Sequence, residues 1–294
     1  MSAEFASEEQ GDQSQHRSER PREVKFARPQ PAVFTSLDEE AAYRKDRLVL
    51  ACRILAREGY EFCGTYISER DPVQPAIIWT HPADITLSAV TVEDLVQLDL
   101  DGNVLTPGAR GSNLDINAIS LHLAIYAAPG RSDMTAICHS HSPHARAFAM
   151  GGNRELRMIS QDAALFYNAW TSIPLRTTLD AASDPKGVQQ ALGSAKVAIL
   201  AGRGALAVHS TIEGCVGYFL RLDGLCYVQM LAEAAEKGRG QPMVYVSKEA
   251  AEVTVRSVSG PHHAWLLAKP NFVREERFMA QERASSSGAP AITG

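Results

Sequence analysis

Apolar residues along the chain follow helical spacing in some segments and strand spacing in others. Residues 36–39, Ser-Leu-Asp-Glu, match a capping box at a helix start, and Leu48, Cys52 and Leu55 recur at helical spacing before Gly59. This pattern predicts a helix between Ser36 and Gly59.

The same two spacings predict the remaining elements. Helices and strands are interspersed without an internal repeat, which favours a single layered α/β domain. Helices are predicted over 113–128, from 184, from 210 to about 237 and from 247, with a short helical turn at 91–94. Strands are predicted at 76–79, 95–100, 104–105, 134–141, 197–200, 205–208 and 243–246.

Both ends of the chain differ from the middle in composition. Residues 1–35 are rich in Ser, Glu, Gln, Arg and Pro and poor in apolar residues, so burial cannot offset the entropy lost on ordering. We therefore predict a flexible arm over 1–35, one domain over 36–273 and a flexible tail over 274–294.

Composition narrows the choice of partners. The 294 residues carry a net charge of −5 without a long basic run, which argues against nucleic acid or an anionic membrane as the main partner. No apolar run approaches the roughly 18 residues of a membrane span, and the first residues lack the apolar core of a signal peptide. We expect a cytoplasmic protein that acts on a small molecule.

The run Cys138-His139-Ser140-His141-Ser142-Pro143 contains the clearest candidate chemistry. On a strand, residues i and i+2 face the same way about 6.6 Å apart, so both imidazoles can converge on one cation. Ser142 suits a helix N-cap and Pro143 the first helical position, which predicts a strand-to-helix junction. Because catalytic zinc takes three protein ligands, two ordinary polar histidines at a strand end remain the alternative.

Together with several other motifs, this run resembles the class II aldolase/adducin family between Ser36 and Phe272, and within it a fungal-type branch. The resemblance implies a three-layer α/β/α fold with a central, mainly antiparallel sheet flanked by helices. It also implies a homotetramer with active sites at subunit interfaces. The other matching segments are 67–70 (Ile-Ser-Glu-Arg), 92–105, His122 with Ile125-Tyr126, 161–163 (Gln-Asp-Ala), 166–168 (Phe-Tyr-Asn), 204–213 and 229–235.

The family resemblance further implies a divalent metal held by three histidines, with zinc the first candidate and Fe(II) or Mn(II) the others. His139 and His141 match the first two ligands, and Arg203 stands where the third is expected. A guanidinium stays protonated and offers no lone pair, so Arg203 cannot bind a metal. Ala118 stands where the family places its catalytic carboxylate, with Asp115 three residues earlier.

These departures leave two interpretations of the site. In one, His144 or His209 becomes the third metal ligand. In the other, Arg203 holds a carboxylate or enolate oxygen while His139 or His141 moves a proton. A purely structural ion pair of Arg203 is the alternative to both.

The sequence also suggests residues that contact the substrate. The segment 65–68, Thr-Tyr-Ile-Ser, replaces the Gly-Asn-x-Ser segment that grips phosphate or carbonyl groups in several relatives, which disfavours a sugar phosphate. Tyr66, Ser68, Asp162 and Tyr167 are the candidate substrate contacts.

The function predicted from these residues is that of a divergent class II aldolase-like enzyme. It would act on a small carbonyl or carboxylate compound by aldol or retro-aldol chemistry, decarboxylation, isomerisation or cyclisation through an enolate, in secondary metabolism. Two alternatives stay open. One is a non-catalytic, adducin-like binding or scaffold protein; the other is an Fe(II) oxygenase that uses both histidines and a carboxylate such as Asp162.

Overall fold

The computed structural model describes residues 29–151, 155–258 and 260–286. A compact unit begins at Pro31 and contains every helix and strand named below. Residues 1–28 of the predicted arm (1–35) and residues 287–294 of the predicted tail (274–294) lie outside the described residues.

Helices and strands are interspersed along the chain, as predicted. The strands are β1 Tyr66–Arg70, β2 Ile77–Thr80, β3 Val96–Asp99, β4 Val104–Thr106, β5 Ala136–Ser140, β6 Trp170–Ile173, β7 Val197–Leu200 and β8 Gly204–His209. The helices are α1 Leu37–Leu55, α2 Ile116–Tyr126, α3 Pro143–Ala149, α4 Gln161–Ala164, α5 Leu175–Leu179, α6 Pro185–Leu192, α7 Ile212–Arg239, α8 Lys248–Val258 and α9 Pro261–Ser286.

All strands of the described residues join one sheet in the order β4-β3-β2-β1-β5-β8-β7-β6. Neighbouring strands run antiparallel except β6 and β7, which are parallel. Helices cover both faces, so the predicted α/β fold with three α/β/α layers and a mainly antiparallel sheet is confirmed.

The two faces of the sheet bury different helices, and we name each face after its main helix. On the α7 face, Ile67 and Cys138 pack with α1, α3, α7 and α9. On the α2 face, Tyr66 and Ile137 pack with α2 and α6. Because side chains alternate along a strand, neighbouring residues of β1 and β5 serve opposite faces.

Side-chain caps fix the helix starts that the sequence predicts. Ser36 accepts a hydrogen bond from Glu39 N at the start of α1, and Thr211 accepts one from Gly214 N at the start of α7. The 28-residue α7 ends at Gly240, whose φ of 64° is left-handed and favours glycine. Asp94 and Thr91 complete the capping box of the predicted turn at 91–94.

Two strands escaped prediction, and one predicted strand is wrong. β1 carries Ser68, Glu69 and Arg70, which break an apolar alternation, and β6 is an edge strand with partly exposed residues. Residues 243–246 are irregular, and Val246 N donates to Met158 O.

The predicted tail from residue 274 is wrong as far as Ser286. These residues continue α9, and the fully buried Glu275 binds Arg53 at 3.0 Å and Arg57 at 2.7 Å. Ion pairing to Arg53 of α1 and to Arg57 just after it therefore fixes a segment whose composition alone suggested disorder. Among the described helices, none combines the length and apolar character of a membrane span.

Candidate active site

The two histidines of the His-x-His run lie at the end of β5, in the centre of the sheet. His139 pairs with Tyr66 of β1 and Leu206 of β8, and its fully buried side chain lies on the α2 face. Ser142 caps α3 by accepting a hydrogen bond from Ala145 N. The predicted strand-to-helix junction is confirmed, with His141 between strand and helix.

A chain of hydrogen bonds connects His139 to α2. His139 Nδ1 lies 2.8 Å from His122 Nε2, and His122 Nδ1 lies 2.7 Å from Ser68 Oγ. Ser68 Oγ lies 3.0 Å from the hydroxyl of Tyr126, which donates to the carbonyl oxygen of Thr135 at 3.0 Å. All four side chains are buried, so their protons are fixed by one another rather than by water.

Only one placement of protons gives each of these four contacts a hydrogen. The Thr135 carbonyl can only accept, so Tyr126 donates to it, Ser68 donates to Tyr126, and His122 Nδ1 donates to Ser68. A neutral His122 then accepts at Nε2 from His139 Nδ1. A neutral His139 consequently carries a lone pair at Nε2, a buried atom without a hydrogen-bond partner among the described residues.

Burial keeps both imidazoles neutral at physiological pH. It lowers the pKa of His122 to about 3, with smaller contributions from the nearby His81 and Arg203. It also holds the pKa of His139 well below the ordinary value of about 6.5, and the neighbouring histidines and Arg203 add to the effect. The proton placement above therefore applies around pH 7.

Arg203 reaches this site from the tight turn between β7 and β8. Arg203 N donates to Leu200 O across the turn, and Gly202 has a φ of 66°. The Arg203 Nε donates to His141 Nε2 at 2.9 Å, while its buried Nη1 has no hydrogen-bond partner among the described residues. Burial and then the Arg203 charge lower the pKa of His141, so its Nε2 accepts this bond as a neutral ring.

Gly204 lets β8 approach β5 closely enough for this contact. A Cβ at position 204 would lie 2.0 Å from the backbone oxygen of Ser140. No side chain fits there without moving the strand, so the glycine sets the position of the neighbouring Arg203.

Two further rings form a wall beside His139. Tyr66 stacks on His81 with ring centroids 4.8 Å apart and on His139 at 6.1 Å. Burial lowers the pKa of His81 to about 4, and its Nε2 has no hydrogen-bond partner within the described part of the chain. The sequence did not suggest His81, since no motif distinguishes a single histidine after a strand.

At the open side of the site, Asp115 caps α2 by accepting hydrogen bonds from Asn117 N and Ala118 N. Its backbone N donates to the Tyr66 hydroxyl at 2.9 Å. Burial lowers the pKa of Arg203, and the charge of Asp115 opposes this shift. Ala118, which replaces the family carboxylate, is buried and offers no titratable group.

The structure thus brings together Tyr66, Ser68, His139, His141 and Arg203, but not the other two candidates. Asp162 lies in α4, which packs with α7 and α8 in the layer on the α7 face, and it binds Arg221 at 2.9 Å. Tyr167 precedes β6, which lies three strands or about 14 Å from β5. Neither side chain reaches His139 of its own chain. The sheet lies between Asp162 and His139, and the strand order separates Tyr167 from His139.

Both candidate third ligands also bind elsewhere. His144 Nδ1 lies 2.8 Å from an Asp223 carboxylate oxygen. His209 accepts from Thr211 N and packs edge-on against Tyr218 of α7, on the face opposite His139. Residues that are close in sequence to the His-x-His run or to Arg203 therefore point away from the site.

The donors present do not fit a metal centre of three histidines. His139 Nε2 offers a lone pair, but the lone pair of His141 Nε2 already accepts from Arg203, and the third position is a permanent cation. Across the described ranges, no group of three or more His, Cys, Asp or Glu side chains has the arrangement of a metal site.

The fold and the His-x-His junction define an α/β domain that positions a histidine pair at the centre of a sheet. The model of the Class II Aldolase and Adducin N-terminal domain matches residues 46–230, and the chain belongs to this family. Members of the family typically use a divalent metal such as zinc.

Three relatives illustrate the range of the family. The chain is 31% identical over 244 residues to "Decarboxylase NovR" of Streptomyces niveus, covering 82% of this chain and 87% of the relative. It is 30% identical over 265 residues to "4-hydroxy-3-prenylphenylpyruvate oxygenase/4-hydroxy-3-prenylbenzoate synthase" of Streptomyces roseochromogenus subsp. oscitans, covering 89% and 91%. The solved L-fuculose 1-phosphate aldolase of Glaciozyma antarctica PI12 superposes with a TM-score of 0.76 at 29% identity, covering 86% and 96%.

Proposed function

We propose that this protein is a lyase-type enzyme that cleaves a carbon–carbon bond in a small carbonyl-containing acid and leaves an enolate. One observation carries the proposal: His139 Nε2 and Arg203 Nη1 are both buried and unpaired within the described residues, and both residues neighbour His141. One is a neutral base and the other is a cation, which is the pairing that enolate chemistry requires.

The lone pair of His139 gives the site its base. In a retro-aldol reaction, His139 Nε2 takes the proton of the substrate hydroxyl and the carbon–carbon bond breaks. The electron pair moves onto the carbonyl oxygen, where Arg203 Nη1 donates a charge-assisted hydrogen bond, and the proton then returns from His139 to the enolate carbon. If carbon dioxide leaves instead, no proton is removed first, and solvent supplies one to the enolate through His139.

The buried chain behind His139 supports this role. Tyr126, Ser68 and His122 fix the ring so that Nε2 and not Nδ1 faces the substrate side. Tyr66 stacks on the His139 ring and limits its rotation. Holding one tautomer in one orientation lowers the cost of reaching the transition state.

The names of the relatives suggest the substrate class. One Streptomyces relative is named a decarboxylase, and the other is named for an arylpyruvate and a benzoate. We therefore place β-keto acids and the aldol adducts of arylpyruvates first among the candidates, as intermediates of secondary metabolism: loss of carbon dioxide from the first and of an aldehyde from the second each leaves an enolate. L-fuculose 1-phosphate is a necessary comparison because a solved relative bears its name.

In this proposal Arg203 performs the electrostatic task that the family assigns to a metal. The test measures aldehyde and carbon dioxide release from the candidate acids by chelator-treated protein, beside elemental analysis of untreated protein and of His139→Ala. Turnover by metal-free protein supports the proposal. Metal near one per chain that is lost in His139→Ala, with activity that requires it, would overturn it.

An oxygenase is the second candidate, because a relative that covers 89% of this chain is named one. It predicts consumption of dioxygen in the presence of Fe(II), which an oxygen electrode measures on the same acids. A scaffold without activity predicts neither turnover nor dioxygen uptake in any condition. A homotetramer and a cytoplasmic location stay predictions, and light scattering with size exclusion tests the former.

A further inference from the structure

A second polar site lies on the α7 face, across the sheet from the histidines. A cavity of about 220 Å³ is lined by residues before α1, by α1 itself, by Glu69 of β1, by the start of α7 and by α9. Its charged lining consists of the carboxylates Glu40, Glu69 and Glu213 and the guanidinium groups of Arg44 and Arg47. When Glu69 is ionised, the three carboxylates outnumber the two guanidinium groups and the cavity is negative.

Both arginines of this cavity already form ion pairs with carboxylates. Arg44 donates to Glu40 through Nε at 2.9 Å and to Glu69 Oε1 through Nη1 at 3.2 Å. Arg47 pairs with Glu213 at 3.3 Å and also with Glu276 outside the cavity.

Glu213 is likewise compensated. Its Oε1 accepts from the Tyr43 hydroxyl at 2.9 Å, and it lies in the first turn of α7, where the helix dipole favours a carboxylate. The charges of both arginines and of Glu213 are therefore paired, although the buried Arg47 Nε makes no hydrogen bond within the described residues.

Glu69 is the exception. Its side chain is 1% exposed, and Oε1 accepts from Arg44 and from the Thr135 hydroxyl. Its Oε2 is buried without a hydrogen-bond partner in the described part of the chain. A buried carboxylate oxygen without a donor is costly, so the cavity favours a ligand that brings one.

The side chains that line the cavity indicate which chemical group would accompany the hydrogen-bond donor of the ligand. Phe34, Tyr43 and Trp265 line it and offer apolar surface, which suits an alkyl or aryl stem better than ordered water. The volume exceeds the roughly 30 Å³ that one water occupies in the liquid, so a ligand of several heavy atoms fits.

From the cavity, its excess of carboxylates and the unpaired Glu69 Oε2, we infer that this protein binds a small primary amine in its ammonium form. The ammonium group donates to Glu69 Oε2, and its stem packs against Phe34, Tyr43 and Trp265. The site is separate from the histidines, and the inference does not depend on the proposed function.

Binding is expected to depend on pH. The pKa of Glu69 is raised to about 8: burial raises it most, Arg44 opposes the shift, Glu213 adds to it and the Thr135 hydroxyl opposes it. Cys215 of α7 also lies close enough to interact with Glu69. Since the ammonium ion binds the ionised carboxylate, its affinity rises about tenfold per pH unit below the pKa of Glu69.

The test titrates n-butylammonium chloride into the full chain by calorimetry at pH 6, 7 and 9, with butyrate, 1-butanol and tetramethylammonium as comparison ligands. We expect saturable binding of one butylammonium per chain, tightest at pH 9, with the comparison ligands at least tenfold weaker. Glu69→Gln keeps the shape of the side chain and its bond to Arg44 but removes the charge. It should weaken binding at least tenfold and abolish the pH dependence.

A matched control and a folding check complete the experiment. Glu252→Gln removes an exposed carboxylate of α8 and should leave binding unchanged. Thermal unfolding verifies each variant, and the pH dependence of the wild type provides evidence that does not require any variant to fold. Three results would overturn the inference: no binding up to about 10 mM, equal binding by Glu69→Gln, or tighter binding of butyrate.

Discussion

Ser68 and Glu69 are neighbours in β1, yet they belong to two different polar sites on opposite faces of the sheet. Ser68 joins a chain of neutral donors and acceptors that ends at the His139 lone pair. Glu69 joins a cluster of ion pairs with an unpaired carboxylate oxygen. Burial favours the neutral form of the titratable groups in both sites, since it lowers the pKa of His122 and His139 and raises that of Glu69 to about 8.

The comparison shows how a sheet tolerates polar residues in its central strands. On the α2 face the groups are uncharged and each contact of the chain has one hydrogen, so the polar residues cost little to bury. On the α7 face carboxylates pair with guanidinium groups, while Glu69 keeps one oxygen without a partner in the described residues and becomes charged only as pH approaches about 8. The hydrogen-bond chain on the α2 face orients a base, whereas the ionised Glu69 on the α7 face favours binding of a cation.

The largest expected effect comes from removing the cation of the histidine face. Arg203→Ala should lower kcat/KM by about 10²–10³, because the enolate oxygen loses its charged donor. Steady-state kinetics on the acid identified by the screen measures this loss. Arg221→Ala, which removes a partly exposed arginine bound to Asp162, is the matched control and should change kcat/KM less than twofold. Equal losses in the two variants would remove Arg203 from the reaction.

On the α7 face, Glu69→Gln should change the pH dependence of stability. The folded state holds the Glu69 proton up to about pH 8, while the unfolded chain releases it near pH 4.5, so the wild type loses stability as pH rises between these values. The variant lacks this loss and should unfold several degrees higher than the wild type at pH 9, but at a similar temperature at pH 4. Calorimetric melting at both values checks this, and parallel curves for the two proteins would contradict it.

Tyr126→Phe should invert the hydrogen-bond chain of the histidine face. Without Tyr126 as acceptor, Ser68 donates to His122 Nδ1, His122 Nε2 donates to His139 Nδ1, and His139 Nε2 gains a proton. The ¹⁵N chemical shift of His139 Nε2, assigned by comparison with His139→Gln, should move from an unprotonated to a protonated value. Activity should fall about tenfold through loss of the base.

Tyr227→Phe provides the control for this inversion, because Tyr227 packs on His144 away from the chain. It should leave the ¹⁵N spectrum of His139 unchanged. If His139 Nε2 already carries a proton in the wild type, the proton placement given above is wrong, whatever the activity.

The smallest effect is expected from the two candidates that the structure separates from the histidines. Asp162→Ala and Tyr167→Phe should each change kcat/KM less than twofold, because neither side chain reaches His139 of its own chain. Kinetics on the same acid measures both variants. A loss above tenfold would show that a neighbouring subunit brings these residues to the site.

Much of the framework was predictable from residue patterns. The helix caps at Ser36 and Ser142, the strands predicted at 95–100 and 104–105 and the His-x-His junction are local features, and each is confirmed. They are predictable because a cap or a turn depends on residues within a few positions of one another.

The site was predictable only in part. The sequence identified His139, His141 and Arg203 as candidates, and the structure brings them together. It did not reveal that His81 belongs to the site, that His122 bonds His139, or that Asp162 lies away from these histidines. Strand order and helix packing decide these contacts.

By itself, the sequence determined which residues carry chemistry: a histidine pair at strand spacing, an arginine that cannot bind metal, and an alanine without a titratable group. The tertiary structure decided what those residues can do. The carbonyl of Thr135 fixes the tautomer of His139 through three intervening side chains, and alternation along β1 sends Ser68 and Glu69 to sites of opposite character. The reason is physical, since a pKa, a tautomer and an unpaired oxygen depend on neighbours that only folding brings within hydrogen-bond distance.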